Sequence, residues 1–163
     1  MMRNALSRGS WLRPSLALLA LALGSACAPL SPVPAPVMAM PAPEALAPCP
    51  LAPPCRVTRD DAGGAYVAPL AFQGEPEAAF ARLEALLVAD PKAQVTARGP
   101  GYLKAVFRTP LMGYRDDVEF LLLGEGTIGL RSASRIGLWD GGTNARRLDA
   151  MRQAFAASAS AIP

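Results

Sequence analysis

The chain contains no histidine in its 163 residues. Histidine is the commonest general base, the commonest metal ligand and the usual switch near neutral pH, so all three chemistries lose their first candidate. Cysteine is scarce, at three residues, and aromatic residues make up 6%. The apolar run "LALLALAL", Leu16 to Leu23, is too short to span a bilayer, which takes about 20 residues. Net charge is also missing from most of the chain. The formal charge of +3 depends on Arg3, Arg8 and Arg13, and residues 28–163 carry 13 Lys and Arg against 13 Asp and Glu. Overall charge therefore gives no support to a nucleic-acid partner. A hydrophobic fraction of 52% is ample for a core, and the length suits one domain plus processing segments.

What is present begins with an expected export signal over residues 1–26. Arg3, Arg8 and Arg13 form a basic start, Leu16–Leu23 the apolar region, and "GSA" supplies small residues ahead of Cys27. Two cleavage readings fit. In one, the segment resembles a lipobox and Cys27 becomes the acylated first residue of a lipoprotein; Gly24 stands where Leu, Val or Ile is usual. In the other, an ordinary peptidase cuts after Ala26, which leaves a soluble periplasmic or secreted protein. The segment that follows favours the anchor, because a lipid-anchored domain needs a spacer. Residues 27–48 are rich in Pro and Ala and nearly free of charge. They are expected to sample polyproline II rather than pack. The partner so implied is a membrane, reached through lipid at Cys27, and the location is the cell envelope.

Cys49 and Cys55 in "CPLAPPC" are the remaining thiols. Outside the cytoplasm a pair this close is expected to form a disulfide. A redox motif has two intervening residues rather than five, and a zinc site has four ligands, so neither metal nor cofactor is expected.

Residues 49–158 are expected to form one α+β domain. Pro69 excludes "YVAPLAFQ" from a central strand. "GEPEAAFARLEALLVADP" reads as a helix with Pro76 in its first turn, Phe80, Leu83 and Leu87 on one face, and Asp90–Pro91 at its end. Four extended runs follow, "AQVTAR", "YLKAVFR", "DDVEFLLL" and "TIGLRSASR", joined in pairs by "GPG" and "GEG". "NARRLDAMRQAFAASASA" reads as a second helix, with Asn144 as its cap and Leu148, Met151 and Phe155 as its buried stripe. The order predicts a two-layer fold: a four-stranded antiparallel meander flanked by an N-terminal and a C-terminal helix. There is no internal repeat.

Charge concentrates in Arg115–Arg152. With Leu123 placed opposite Thr127, Glu119 falls opposite Arg131 and Asp117 opposite Ala133, with Arg131 and Arg135 diagonal to Asp117. Alternation then puts Arg115, Asp117, Glu119, Arg131 and Arg135 on one face, and Val118, Phe120, Leu122, Ser132 and Ser134 on the helix-covered one. Arg146 and Arg147 oppose the dipole of the second helix, at a cost of a few tenths of a kcal/mol each. That cost calls for an offset. One source is a carboxylate of the protein, from Asp116, Asp117, Asp140 or Asp149. The other is a bound anion at the helix start beside Gly137, Gly141 and Gly142.

The same residues resemble the domain-of-unknown-function family 1499, found in bacterial envelopes and plastids. Its acidic "DD-x-EF" strand matches Asp116–Phe120. Its "RSASR-x-G-x-x-D-x-G-x-N-R-x-R" run matches Arg131–Arg135, Gly137, Asp140, Gly142, Asn144 and Arg147. Ala145 replaces the first arginine after the asparagine, with Arg146 one place later. The "CP-x-SP-x-C" element has Pro54 where the family usually has Asn. The resemblance covers about residues 47–156. It implies the domain limits and an important Asp116–Arg147 surface, and it implies no activity.

Three functions fit these observations. The first is non-enzymatic binding of a polar or anionic ligand, or of an envelope partner, through Arg131, Ser132, Ser134, Arg135, Asp140, Asn144 and Arg147. The second is a hydrolase or transferase using Asp116, Asp117 or Glu119. The arginines alongside favour a salt-bridged role for these acids instead, and Ser132 and Ser134 have no evident base. No catalytic residue is therefore assigned. The third function is a structural or scaffold role for the charged ladder.

Overall fold

A computed structural model of the chain describes residues 36–124 and 126–159. The export signal, Cys27 and the first part of the tether lie outside the described residues. Pro34–Pro163 forms a compact unit of its own.

The sheet has seven strands: β1 (Met38–Ala39), β2 (Cys55–Val57), β3 (Leu70–Ala71), β4 (Ala93–Gly99), β5 (Tyr102–Arg108), β6 (Arg115–Gly124) and β7 (Thr127–Ser134). Among the described residues there are also two α-helices, α1 (Pro76–Ala89) and α2 (Thr143–Ala159), and a 3-10 segment at Asp60–Ala65. The order is β1-β4-β5-β6-β7-β2, with β3 also on β7. β1 runs parallel to β4, while the other pairings are antiparallel.

The α+β class stands, but the four-stranded antiparallel meander is corrected to a seven-stranded mixed sheet. The expected meander is β4–β7. The three extra strands are two or three residues long. Runs that short have no alternation to read, because a period of two needs several repeats to show. β2 and β3 lie end to end along the outer edge of β7, at residues 131–133 and 127–128.

α1 and α2 cover one face of the sheet. Leu83 and Leu87 of α1, with Leu148, Met151 and Phe155 of α2, pack on Ala105, Val118, Phe120, Ile128 and Leu130. Pro76 begins α1, where its missing N–H costs nothing, and the turn at Asp90–Pro91 ends it. The β6–β7 turn uses Gly126 at φ 75°. A bulge at Leu123 shifts the last pair to Gly124–Thr127, yet Glu119 still opposes Arg131 and Asp117 opposes Ala133.

Residues 36–48, expected to stay unpacked, instead lie on the domain. Met38 and Ala39 pair with Ala97 and Arg98, and Met40 N–H donates to the Arg98 carbonyl. Leu46 is buried with Val57, Tyr102 and Leu121 in a small second core on the sheet face that carries Glu119. Burial of that one side chain contributes roughly 2 kcal/mol. Proline forbids a helix here, but it permits an edge strand and an extended chain, and those are what form. A Cβ on Gly129 would sit 3.1 Å from Leu46, so Gly129 leaves room for it. Cys49 and Cys55 are joined in a disulfide just beyond.

A Cβ at Gly99 would stand 2.1 Å from the Met40 carbonyl oxygen, a backbone atom that cannot rotate away. Gly99→Ala should therefore detach β1. The expected outcome is faster hydrogen exchange at the Met40 amide, with protection in β5–β7 unchanged.

Candidate functional site

Alternation on β6 sends neighbouring acids to opposite faces. Asp116 points into the helix-covered side, 2% exposed, and Asp117 points to the other. Each organises a separate set of charges.

On the covered side, Arg147 from the first turn of α2 donates to Asp116 at 2.5 Å and to Ser132 Oγ at 2.9 Å. Its guanidinium also lies over the Phe107 ring, 4.9 Å from the centroid. Ser132 Oγ donates to Asn144 Oδ1 at 2.6 Å. Asn144 Nδ2 donates to Ser134 Oγ at 3.0 Å, to Asp140 at 2.8 Å and to the Pro54 carbonyl. β6, β7, α2 and the cysteine loop thus meet in one buried polar knot. Its members satisfy one another, as buried polar groups must.

Asn144 is not the cap of α2. Its side chain turns inward, and Asp140 takes the capping role by accepting from the Gly142 N–H and Asn144 N–H, both at 2.9 Å. Burial works to raise the Asp140 carboxyl. Those amide bonds and the Asn144 side chain outweigh it and hold the carboxyl below the usual range. Arg147 has its offset in Asp116, from inside the protein. Arg146 folds back onto the Gly141 carbonyl and Thr143 Oγ1.

On the open face, Arg135 makes a bidentate pair with Asp117, both bonds at 2.9 Å. The hydrogen bonds from Arg135, aided by the Lys104 charge, hold the Asp117 carboxyl below the usual range. Arg131 donates to Glu119 at 3.0 Å and to the Ala47 carbonyl. Tyr102 donates to the other Glu119 oxygen, and its hydroxyl is pushed up by burial and by that carboxylate.

Arg131, Arg135 and Arg147 therefore already have protein partners, and so have Ser132, Ser134, Asp140 and Asn144. No group of His, Cys, Asp and Glu among the described residues is arranged to hold a metal.

Unsatisfied charge lies at one end of the sheet, where β5 ends and β6 begins. Arg108 and Arg115 stand directly opposite each other on β5 and β6, both exposed. With Lys92 and Arg135 they line a groove of about 500 Å³ on the open face, floored by Gln94, Thr96 and Val106. Among the described residues no acid pairs with Lys92, Arg108 or Arg115. Like charges directly opposite on adjacent strands are destabilising. Beside the groove, the β5–β6 loop and the β7–α2 loop enclose a cavity of about 310 Å³ lined by Tyr114, Ile136 and Trp139, with Asp116 and Asp140 in its wall.

Alternation places Arg115 on the open face, but joining Arg108 and Lys92 to it takes the β5–β6 register, which no turn signal between these strands sets. Ile136, Leu138 and Trp139, three large apolar residues in a Gly-rich loop, are the other sequence signal at this end.

Residues 45–155 match the family described as Protein of unknown function (DUF1499), and the chain belongs to that family. No curated protein and no solved structure matches it. The run from Asp116 to Arg147 that carried the resemblance builds the buried knot and the open-face pairs.

Two predictions separate these sets. Asp116→Ala leaves the Arg147 guanidinium buried without its carboxylate and should cost about 3 kcal/mol in urea unfolding. Arg135→Ala, at an exposed pair, should cost less than about 1 kcal/mol. Asp117 and Asp140 have folded values below their unfolded ones. Their contribution is complete above an unfolded value of about 3.9 and is lost as pH falls through the folded values. Urea midpoints should therefore fall as the pH drops below about 4, and Asp140→Asn should flatten that fall.

Proposed function

We propose that this is an exported envelope protein, lipid-anchored at Cys27, that binds an anionic ligand without catalysing a reaction. The observation that carries the reading is the Arg108–Arg115 opposition, with Lys92 and Arg135 around the same groove and no acid in ion-pair contact with Lys92, Arg108 or Arg115 among the described residues. A like-charge pair across two strands is a stability cost, and a bound anion converts it into binding energy. The anion site so proposed is the strand end on the open face, not the Arg131–Arg147 residues, whose arginines are paired within the protein.

The absence of catalysis is supported by the state of the acids. Asp116 is held by Arg147, Asp117 by Arg135 and Glu119 by Arg131. Neither shifted carboxylate, Asp117 or Asp140, is moved toward neutral pH, where a general acid or base works best. A structural role is supported as well: the Asp116–Arg147 knot fixes the β7–α2 loop, which leaves the sheet next to the groove residue Arg135.

Inorganic pyrophosphate is a suitable probe, followed by thermal shift and calorimetry. It should raise the melting temperature of the parent chain. Arg115→Glu should remove that response, weakening affinity at least about tenfold, or about 1.4 kcal/mol. The same substitution should raise the melting temperature without ligand, because it turns a repulsive pair into an attractive one. No response to pyrophosphate, or a drop in stability with Arg115→Glu, overturns the reading. For the anchor, fatty-acid labelling in cells should be lost with Cys27→Ser.

A further inference from the structure

The two loops beside the cationic groove carry an unusual load of exposed apolar side chains. Leu111 is 92% exposed, Leu138 89% and Trp139 86%; Met112, Ile136 and Tyr114 are exposed beside them. Tyr114 from one loop and Ile136 and Trp139 from the other line the same cavity, so the two tips are neighbours. Apolar surface of this kind on a small domain marks a docking site. Leu111 and Met112 also border a second hollow with Lys92 and Arg108. Cations and apolar tips therefore share one end of the molecule. Asp90 is the acid beside Lys92 there, and it accepts from the Lys92 backbone N–H.

We infer that this end docks onto an anionic bilayer surface, with Leu111, Leu138 and Trp139 entering the interface and Lys92, Arg108 and Arg115 meeting headgroup phosphates. The charge assignment rests on the anion-binding reading above; the apolar tips are independent of it. Interfacial binding combines buried apolar area with attraction to anionic lipid, and both ingredients occur here side by side. Tryptophan at such a boundary keeps its ring in the apolar layer and its N–H in the wet one.

Residues 34–163 form their own compact unit and hold Trp139 as their only tryptophan, so they suit the test. They are mixed with phosphatidylcholine vesicles with and without phosphatidylglycerol, and with brominated lipid as a quencher. The expected result is sedimentation with the anionic vesicles, a blue shift and quenching of Trp139, and loss of binding at high salt. The double variant Leu111→Ser, Leu138→Ser should lose vesicle binding at least about tenfold and keep its pyrophosphate response. Arg115→Glu should lose both. Failure to bind anionic vesicles while pyrophosphate still binds overturns the bilayer inference alone. Vesicle binding that survives Arg115→Glu, with no pyrophosphate response in the parent, overturns the anion reading alone. A concentration-dependent dimer that the double variant abolishes assigns the tips to a second copy of this chain and overturns the inference.

Discussion

The buried pair of Asp116 and Arg147 is the constraint around which the rest of the domain is arranged. Two charges removed from water cost several kcal/mol each unless their geometry and hydrogen bonding are good. Here the geometry is supplied by four separate stretches of chain. β6 brings the carboxylate, α2 the guanidinium, β7 two serines, and the Gly-rich loop an aspartate. Asn144 bridges them and also reaches the carbonyl before the second cysteine. A hydrophobic contact tolerates a sliding neighbour, whereas a network of this kind has one arrangement in which every member is satisfied. It thereby sets where α2 starts, how the β7–α2 loop leaves the sheet, and where the cysteine loop closes.

The open face uses the same residue types for a weaker purpose. Arg131 and Arg135 are paired with acids on the neighbouring strand, in contact with water, and each pair contributes little. What these pairs do is neutralise the middle of the sheet. The remaining imbalance is pushed to the strand ends, at Arg108, Arg115 and Lys92. The arrangement separates a self-satisfied ladder from an end that carries unpaired cations and exposed apolar side chains.

Much of this was legible in the residues. α1, α2 and β4–β7 have enough length for their periods to show, and the Gly126 turn fixed the β6–β7 register closely enough to place Glu119 against Arg131. β1, β2 and β3 were not legible, because pairing over two or three residues leaves no pattern and proline argued against order around Met38. The capping roles were exchanged: Asp140 and Asn144 are both short polar residues near a helix start, and only the tertiary fold decides which turns inward. The roles of Asp116 and Asp117 follow from alternation alone, though Arg147 as the partner of Asp116 needed α2 to be laid across the sheet. The cationic end stayed hidden because Lys92, Arg108 and Arg115 come from three elements whose mutual register the sequence did not supply.

The short outer strands have a consequence for how the protein behaves among other chains. A long β-strand with a free side is a template for recruiting another strand. β4 is covered at Ala97–Arg98 by Met38–Ala39, and β7 by Cys55–Val57 and Leu70–Ala71. The Pro-rich segment thus guards part of a strand edge. A protease that trimmed it back past Met40 would leave the hydrophobic core largely intact and uncover the backbone of β4 at Ala97–Arg98. The clipped domain would then carry a longer free edge, so a segment that carries little of the core limits how much of β4 is open to another strand.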